Sequence, residues 1–247
     1  MGTSGHVHTL DYGVQVSRSG RVSQSGITAV LTGAYSRARG GYIAFLDETF
    51  QLDDSDVDRR TEFYMLSAVV VHRDDLASLR GDLRKVVGGD FWHTSDELKT
   101  PEGRARARRV AEFLGDPQGN EVGIVAIKSP VAEGMGDAAR AACFRQVGRT
   151  LCAGGTPLAD EGVHLMILEQ RRMQRNRSYD TSIVKGLRKE GTLCRHCHMI
   201  QASPTHENLL WLPDLVSSAV RRHHLDQEGG VDLFAPLAHI LQVSNCP

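Results

Sequence analysis

Two rhythms of apolar and polar positions alternate along this chain, and each change of rhythm marks an element. Tyr42 to Leu46 is an unbroken apolar run that stops on Asp47 and Glu48. Glu62 to His72 is a second run, rich in β-branched and aromatic residues. Such runs predict strands over 42–47 and 62–72. The short acidic connection between them, 51–60, predicts antiparallel neighbours. Residues 121–128, 163–169 and 192–201 read as three further strands. Between and after them the apolar spacing shifts to three and four. That spacing predicts helices over 74–87 (Leu76, Leu79, Leu83), 102–114, 136–152, 181–189 and 209–224 (Leu209, Leu212, Val216, Ala219, Val220). A last short helix is predicted around 236–241.

Residues 1–39 show no sustained period and are rich in Ser, Gly, Arg and Thr. They read as a flexible or loosely docked arm. Residues 40–247 read as one α/β domain with a mixed sheet of about five strands flanked by helices.

Composition narrows the picture. The 247 residues carry a net charge of -1 and 40% hydrophobic residues, so no global field draws the chain to nucleic acid or membrane. No apolar run approaches the roughly 20 residues that span a bilayer. The N-terminus lacks the pattern of a signal peptide, so a cytoplasmic protein with no membrane partner is expected. Five cysteines at irregular spacing are then expected as reduced thiols.

The chemistry begins where the first strand ends. Burying a strand that terminates in carboxylates is costly unless something binds their charge. Glu169 ends a second buried run, and Asp214 opens the last long helix. Three acids so distant in sequence meet only through a folded sheet. Strand side chains alternate, so Asp47 and Glu48 face opposite ways. Asp47 is the natural partner of Glu169 and Asp214, although a twist or bulge at the strand end admits Glu48. Hard Mg²⁺ or Mn²⁺ takes carboxylate oxygens, and phosphoryl transfer uses such clusters. A plainer reading stands beside this one. Asp214 follows Pro213 and suits a helix dipole, and Glu169 precedes Arg171 and Arg172, a ready surface ion pair. His93 is a candidate acid or base and has Glu97 close by in sequence.

Between 171 and 195 eight basic residues stand against two acidic ones. Arg171, Arg172, Arg175 and Arg177 follow Glu169 directly and are candidates for phosphate contact. Arg104, Arg106, Arg108 and Arg109 read as a solvated helix face. Cys194-Arg195-His196-Cys197-His198 has the spacing of haem attachment, which belongs to exported chains. Zinc at Cys194 and Cys197 would need two more ligands, and on a strand the two thiols face apart. Neither group is expected. Asp54, Asp56 and Asp58 resemble a calcium loop, but Arg59 and Met65 replace its Gly and Glu, which leaves a solvated turn.

Leu46-Asp47-Glu48-Thr49, Phe63 to Val70, His93 to Leu98, and Leu210-Trp211-Leu212-Pro213-Asp214-Leu215-Val216 with Ala219-Val220-Arg221-Arg222 resemble, in order and spacing, domain-of-unknown-function family 3800. The resemblance runs over roughly residues 41–224. It implies a ribonuclease H-like fold and a metal-dependent nuclease of the kind found in bacteria and phages. It implies metal ligation by Asp47, Glu169 and Asp214, with Glu48, His93 and Glu97 nearby as catalytic candidates. Thr49-Phe50 stands where the family usually has Ser-Gly, and Pro213 where it has Ala. The expected activity is hydrolysis of nucleic-acid phosphodiesters with Mg²⁺ or Mn²⁺. The other open reading is a non-catalytic nucleic-acid-binding or protein-interaction module with a degenerate site.

Overall fold

A computed structural model describes residues 24–38, 41–52, 62–152, 162–225 and 230–247. The elements run α1 (Gln24–Arg37), β1 (Tyr42–Gln51), β2 (Phe63–His72), α2 (Leu76–Val87), α3 (Thr94–Glu97), α4 (Pro101–Leu114), β3 (Val122–Lys128), α5 (Gly136–Cys152), β4 (Val163–Glu169), α6 (Gln174–Lys189), β5 (His198–Ala202), α7 (Trp211–His224), α8 (Gly230–Phe234) and β6 (Leu241–Asn245). Six strands form one mixed sheet in the order β5-β4-β1-β2-β3-β6. β1, β2 and β3 are antiparallel neighbours, while β4 lies parallel to β1, β5 to β4 and β6 to β3.

Period-two alternation divides the central strands between two cores. Ile43 and Phe45 of β1 and Leu165 and Ile167 of β4 face α1, α2, α4 and α7. Ala44, Leu46, Met166 and Leu168 face α5 and α6. Each fully buried Leu or Ile here contributes roughly 1.5–3 kcal/mol relative to exposure. A sheet covered on both faces explains why β1, β2 and β4 are continuous apolar runs with no polar side.

Four sequence expectations are corrected. The sheet has six strands, not five. The tail expected as a helix over 236–241 contains the sixth, β6, a short parallel edge strand after α8 and a 3-10 turn at Ala235–Leu237. A five-residue strand in a polar tail carries too little pattern to read.

The arm expected over 1–39 is in part a helix. α1 buries Leu31, Ala34 and Ala38 in the α7-side core. The Tyr35 hydroxyl bonds to Glu207, which Arg80 holds in a two-pronged pair at 3.0 and 2.7 Å. Its anchorage is tertiary, so local periodicity does not show it. Residues 1–23 and the segment holding Asp54, Asp56 and Asp58 lie outside the described residues.

α6 starts at Gln174 rather than 181. Its first turns are polar and are held by ion pairs instead of an apolar stripe. The strand expected over 192–201 starts only at His198. Residues 191–197 are spent ending α6: Gly191 takes φ 77°, and Thr192 and Leu193 donate back to the Leu187 carbonyl at 2.9 and 3.1 Å. Cys194 and Cys197 therefore sit in a turn, where the Cys197 N–H donates to the Cys194 carbonyl at 3.1 Å. The alternation argument against their chelating together does not apply there.

Candidate functional site: a carboxylate cleft at the end of β1 and β4

Parallel pairing sets Leu46 beside Leu168, so the next residues, Asp47 and Glu169, are neighbours at the ends of adjacent strands. Both continue the face that carries Phe45 and Ile167, which is the face α7 covers. α7 is pinned there by a buried hydroxyl pair, Ser217 Oγ donating to Ser67 Oγ at 2.9 Å. Ser67 is itself the cross-strand partner of Asp47. Pinning α7 at Ser217 brings Asp214, one turn earlier, over the strand ends. Asp47, Glu169 and Asp214 line one cleft of about 300 Å³.

The charges in this cleft oppose one another. Asp47 is only 8% exposed. Burial, then the carboxylates of Glu169 and Asp214, hold its carboxyl well above the ordinary aspartate range. Glu169 is raised by burial and by Asp214, and is eased by a hydrogen bond with Asp47. Asp214 Oδ2 accepts from the Thr94 N–H at 2.9 Å. That bond draws the 93–98 segment to the cleft.

His93 reaches the same cleft. Its neighbour Trp92 is buried and donates from Nε1 to Thr94 Oγ1 at 2.9 Å, which anchors the backbone and leaves His93 exposed beside the acids. His93 Nδ1 lies 3.0 Å from Ser95 Oγ. Glu97 is elsewhere: it pairs with Arg106 at 3.1 Å and does not line this cleft.

Glu48 borders the cleft, but its carboxylate is committed to the opposite face of the sheet. It meets Tyr64 and Arg140, and Arg171 Nε lies 3.2 Å away. Arg140, 1% exposed, also donates from Nε to Asp180 at 2.7 Å. Burial pushes Glu48 up to about 7 despite the opposing pull of Arg171. These side chains form a buried network joining β1, β2, α5 and α6. Sequence reading missed Arg140 and Asp180, because nothing local distinguishes a buried ion pair from solvated charge.

The four candidate phosphate ligands divide in the same way. Arg171 is held by Glu48 and Asp180. Arg177 donates to the carbonyls of Arg171 and Arg172 at 2.9 and 3.0 Å, so it braces the loop into α6. Arg172 and Arg175 are exposed. Sequence reading passed over Ser218, Arg221 and Arg222 as site residues. They follow Asp214 at four, seven and eight positions, one polar stripe on an otherwise buried helix, and all three line the cleft.

Among the described residues, no group of three or more His, Cys, Asp and Glu is arranged to hold a metal ion as it stands. All five cysteines are free thiols. The chemistry of the acidic set nonetheless suits a hard cation: oxygen donors alone, one buried and two half-buried, and mutually repelling. No helix among the described residues is long and apolar enough to cross a membrane.

The chain matches no protein-family model. No curated protein matches it in sequence.

Proposed function

We propose that this chain is a divalent-metal-dependent hydrolase of nucleic-acid phosphodiesters, built on a ribonuclease H-like sheet. One observation carries the reading: carboxylates from β1, β4 and α7 converge in a single cleft, where burial and then their repulsion hold Asp47 well above its ordinary range. An antiparallel β1-β2-β3 meander continued by parallel β4 and β5 supports the fold half of the proposal.

Asp47, Glu169 and Asp214 would hold Mg²⁺ or Mn²⁺. Such a cation, when bound, lowers the pKa of a water and neutralises charge on phosphoryl oxygens. The chain's own groups do the rest. Asp47 and Glu169 would hold the cation as carboxylates, the form it favours. His93, oriented by Ser95, is placed to move a proton at the cleft mouth. Arg221 lies within reach of a phosphate oxygen in the cleft. Glu48 supports β1 from the other face, and Glu97 holds α4 through Arg106. A cytoplasmic setting belongs to the same reading.

The test is a cleavage assay on single- and double-stranded DNA and RNA with Mg²⁺, Mn²⁺ or chelator. Wild type would be compared with Asp47→Asn and Asp214→Asn. Metal-dependent cleavage lost in both variants supports the proposal; cleavage that survives both refutes it.

One observation favours the second reading, a non-catalytic nucleic-acid-binding module. The acids have partners without a cation: Asp47 and Glu169 share a hydrogen bond, and Asp214 accepts from the Thr94 N–H. That reading expects nucleic-acid binding indifferent to divalent metal and to Asp47→Asn.

A further inference from the structure

A second cleft of about 450 Å³ adjoins the acidic one. Leu98 and Arg222 line both, so the two are adjacent. The walls of the second carry Arg104 and Arg108 from α4 and Arg222 from α7, against the single carboxylate of Asp232. Arg104 and Arg108 lie one turn apart on the exposed face of α4. Arg104 Nη1 reaches the Leu98 carbonyl at 3.3 Å, and Arg108 Nε pairs with the exposed Glu112 at 2.9 Å. Both pairings are at the solvent surface, where a phosphate competes easily. In the wall of the acidic cleft, next to Arg222, Arg221 Nε is buried and has no hydrogen-bond partner among the described residues. A buried guanidinium donor without an acceptor is costly, and an anionic oxygen in the cleft would satisfy it.

α4 is brought to this place by close packing. Thr100 caps its first turn, accepting from the Gly103 N–H at 3.0 Å. A Cβ on Gly103 would lie 2.0 Å from the Glu97 carbonyl oxygen. Only glycine lets α4 rest on the segment that carries His93, which sets Arg104 and Arg108 in the cleft next to the acidic one.

We propose that the groove lined by Arg104, Arg108, Arg221 and Arg222 carries the phosphate backbone of a polynucleotide strand as it leaves the carboxylate cleft. The inference rests on the phosphodiesterase reading and deepens it. The substrate is a chain with several phosphates rather than a small phosphoester, and it is gripped on the α4–α7 side. The α6 side, where the sequence concentrates its arginines, spends Arg171 and Arg177 on internal contacts.

The probe is a labelled single-stranded oligonucleotide, as DNA and as RNA, followed by fluorescence anisotropy in chelator across about 50 to 200 mM salt. Two phosphate contacts account for about 1.4 in the slope of log affinity against log salt for a single strand. Arg104→Gln/Arg108→Gln is expected to lower the slope by about that amount and to weaken binding about tenfold or more at low salt. Arg172→Gln/Arg175→Gln removes the same charge from the α6 side and is expected to leave the slope unchanged. Glutamine suits an exposed helix position, and unchanged thermal unfolding of both variants confirms that the fold is intact. An unchanged slope in the first variant, an equal fall in both, or no binding by wild type overturns the inference. Cleavage that persists while Arg104→Gln/Arg108→Gln keeps the wild-type slope overturns this inference alone. Binding through Arg104 and Arg108 with no cleavage under any metal overturns the hydrolase reading alone.

Discussion

Asp214 accepts a hydrogen bond from the backbone N–H of Thr94 at 2.9 Å, across 120 residues of sequence. The bond gives one carboxylate two tasks. It contributes charge to the cleft, and it fastens the segment that presents His93. Asn keeps an acceptor in place of Asp but removes the charge, whereas Ala removes both. Asp214→Asn is therefore expected to fold like wild type while metal-dependent cleavage falls at least about 100-fold. Asp214→Ala is expected to lose the same activity and, in addition, to speed amide exchange over 93–98. Equal exchange in the two variants would contradict the fastening role.

Asp47 gives a pH and metal prediction. Its carboxyl is raised in the folded protein, chiefly by burial and then by Glu169 and Asp214. The folded state then holds a proton that the unfolded chain releases near pH 4. Stability is fully present below that pH and is lost as pH rises toward the folded value. In chelator, wild type should lose stability as pH rises above about 4, and Asp47→Asn should lose less. At neutral pH the variant is expected to be more stable by about 1–2 kcal/mol, or roughly 2–8 °C in Tm. Added Mn²⁺ should stabilise wild type and not the variant. Thermal melts with and without metal check all three; a less stable Asp47→Asn at neutral pH would contradict the charge repulsion.

Arg140 answers the buried Asp180 and the half-buried Glu48. Its removal leaves the two acids with Arg171 as their paired cation. Arg140→Met is expected to cost about 3–5 kcal/mol, seen as a lowered urea midpoint. A cost below about 1 kcal/mol would show that the network is solvated rather than buried.

Glu207 ties Tyr35 of α1 to Arg80 of α2 just ahead of α7. Glu207→Gln is expected to cost about 2–3 kcal/mol and to raise hydrogen exchange across Gln24–Arg37. Tyr35→Phe, which removes one hydroxyl, should cost about 1 kcal/mol. Exchange of α1 unchanged by both would mean that Leu31 and Ala34 hold the helix unaided.

Gly103 tests the placement of α4. Gly103→Ala forces a methyl against the Glu97 carbonyl. It should cost about 1–3 kcal/mol even though alanine is the better helix former. It should also weaken oligonucleotide binding by displacing Arg104. A stabilised Gly103→Ala would show that the approach of α4 is slack.

The sequence by itself determined the elements whose pattern is dense. β1, β2 and β4 are visible because a strand buried on both faces must be apolar throughout. α2, α4 and α7 are visible because one face must be. It also determined that Asp47 and Glu48 part company, since strand side chains alternate whatever the rest of the fold does. The tertiary structure alone decided what those residues meet. α1, the first turns of α6 and the edge strand β6 depend on distant partners and carry little local pattern. The division of the arginines had the same origin. Arg171 looked like a phosphate ligand and is consumed by Glu48, while Arg104 looked like a solvated face and lines the cleft next to the acidic one. Charge is equally polar in either place along a sequence; only the packing of α4 on Glu97 and of α7 on Ser67 sets which side chains share a cleft.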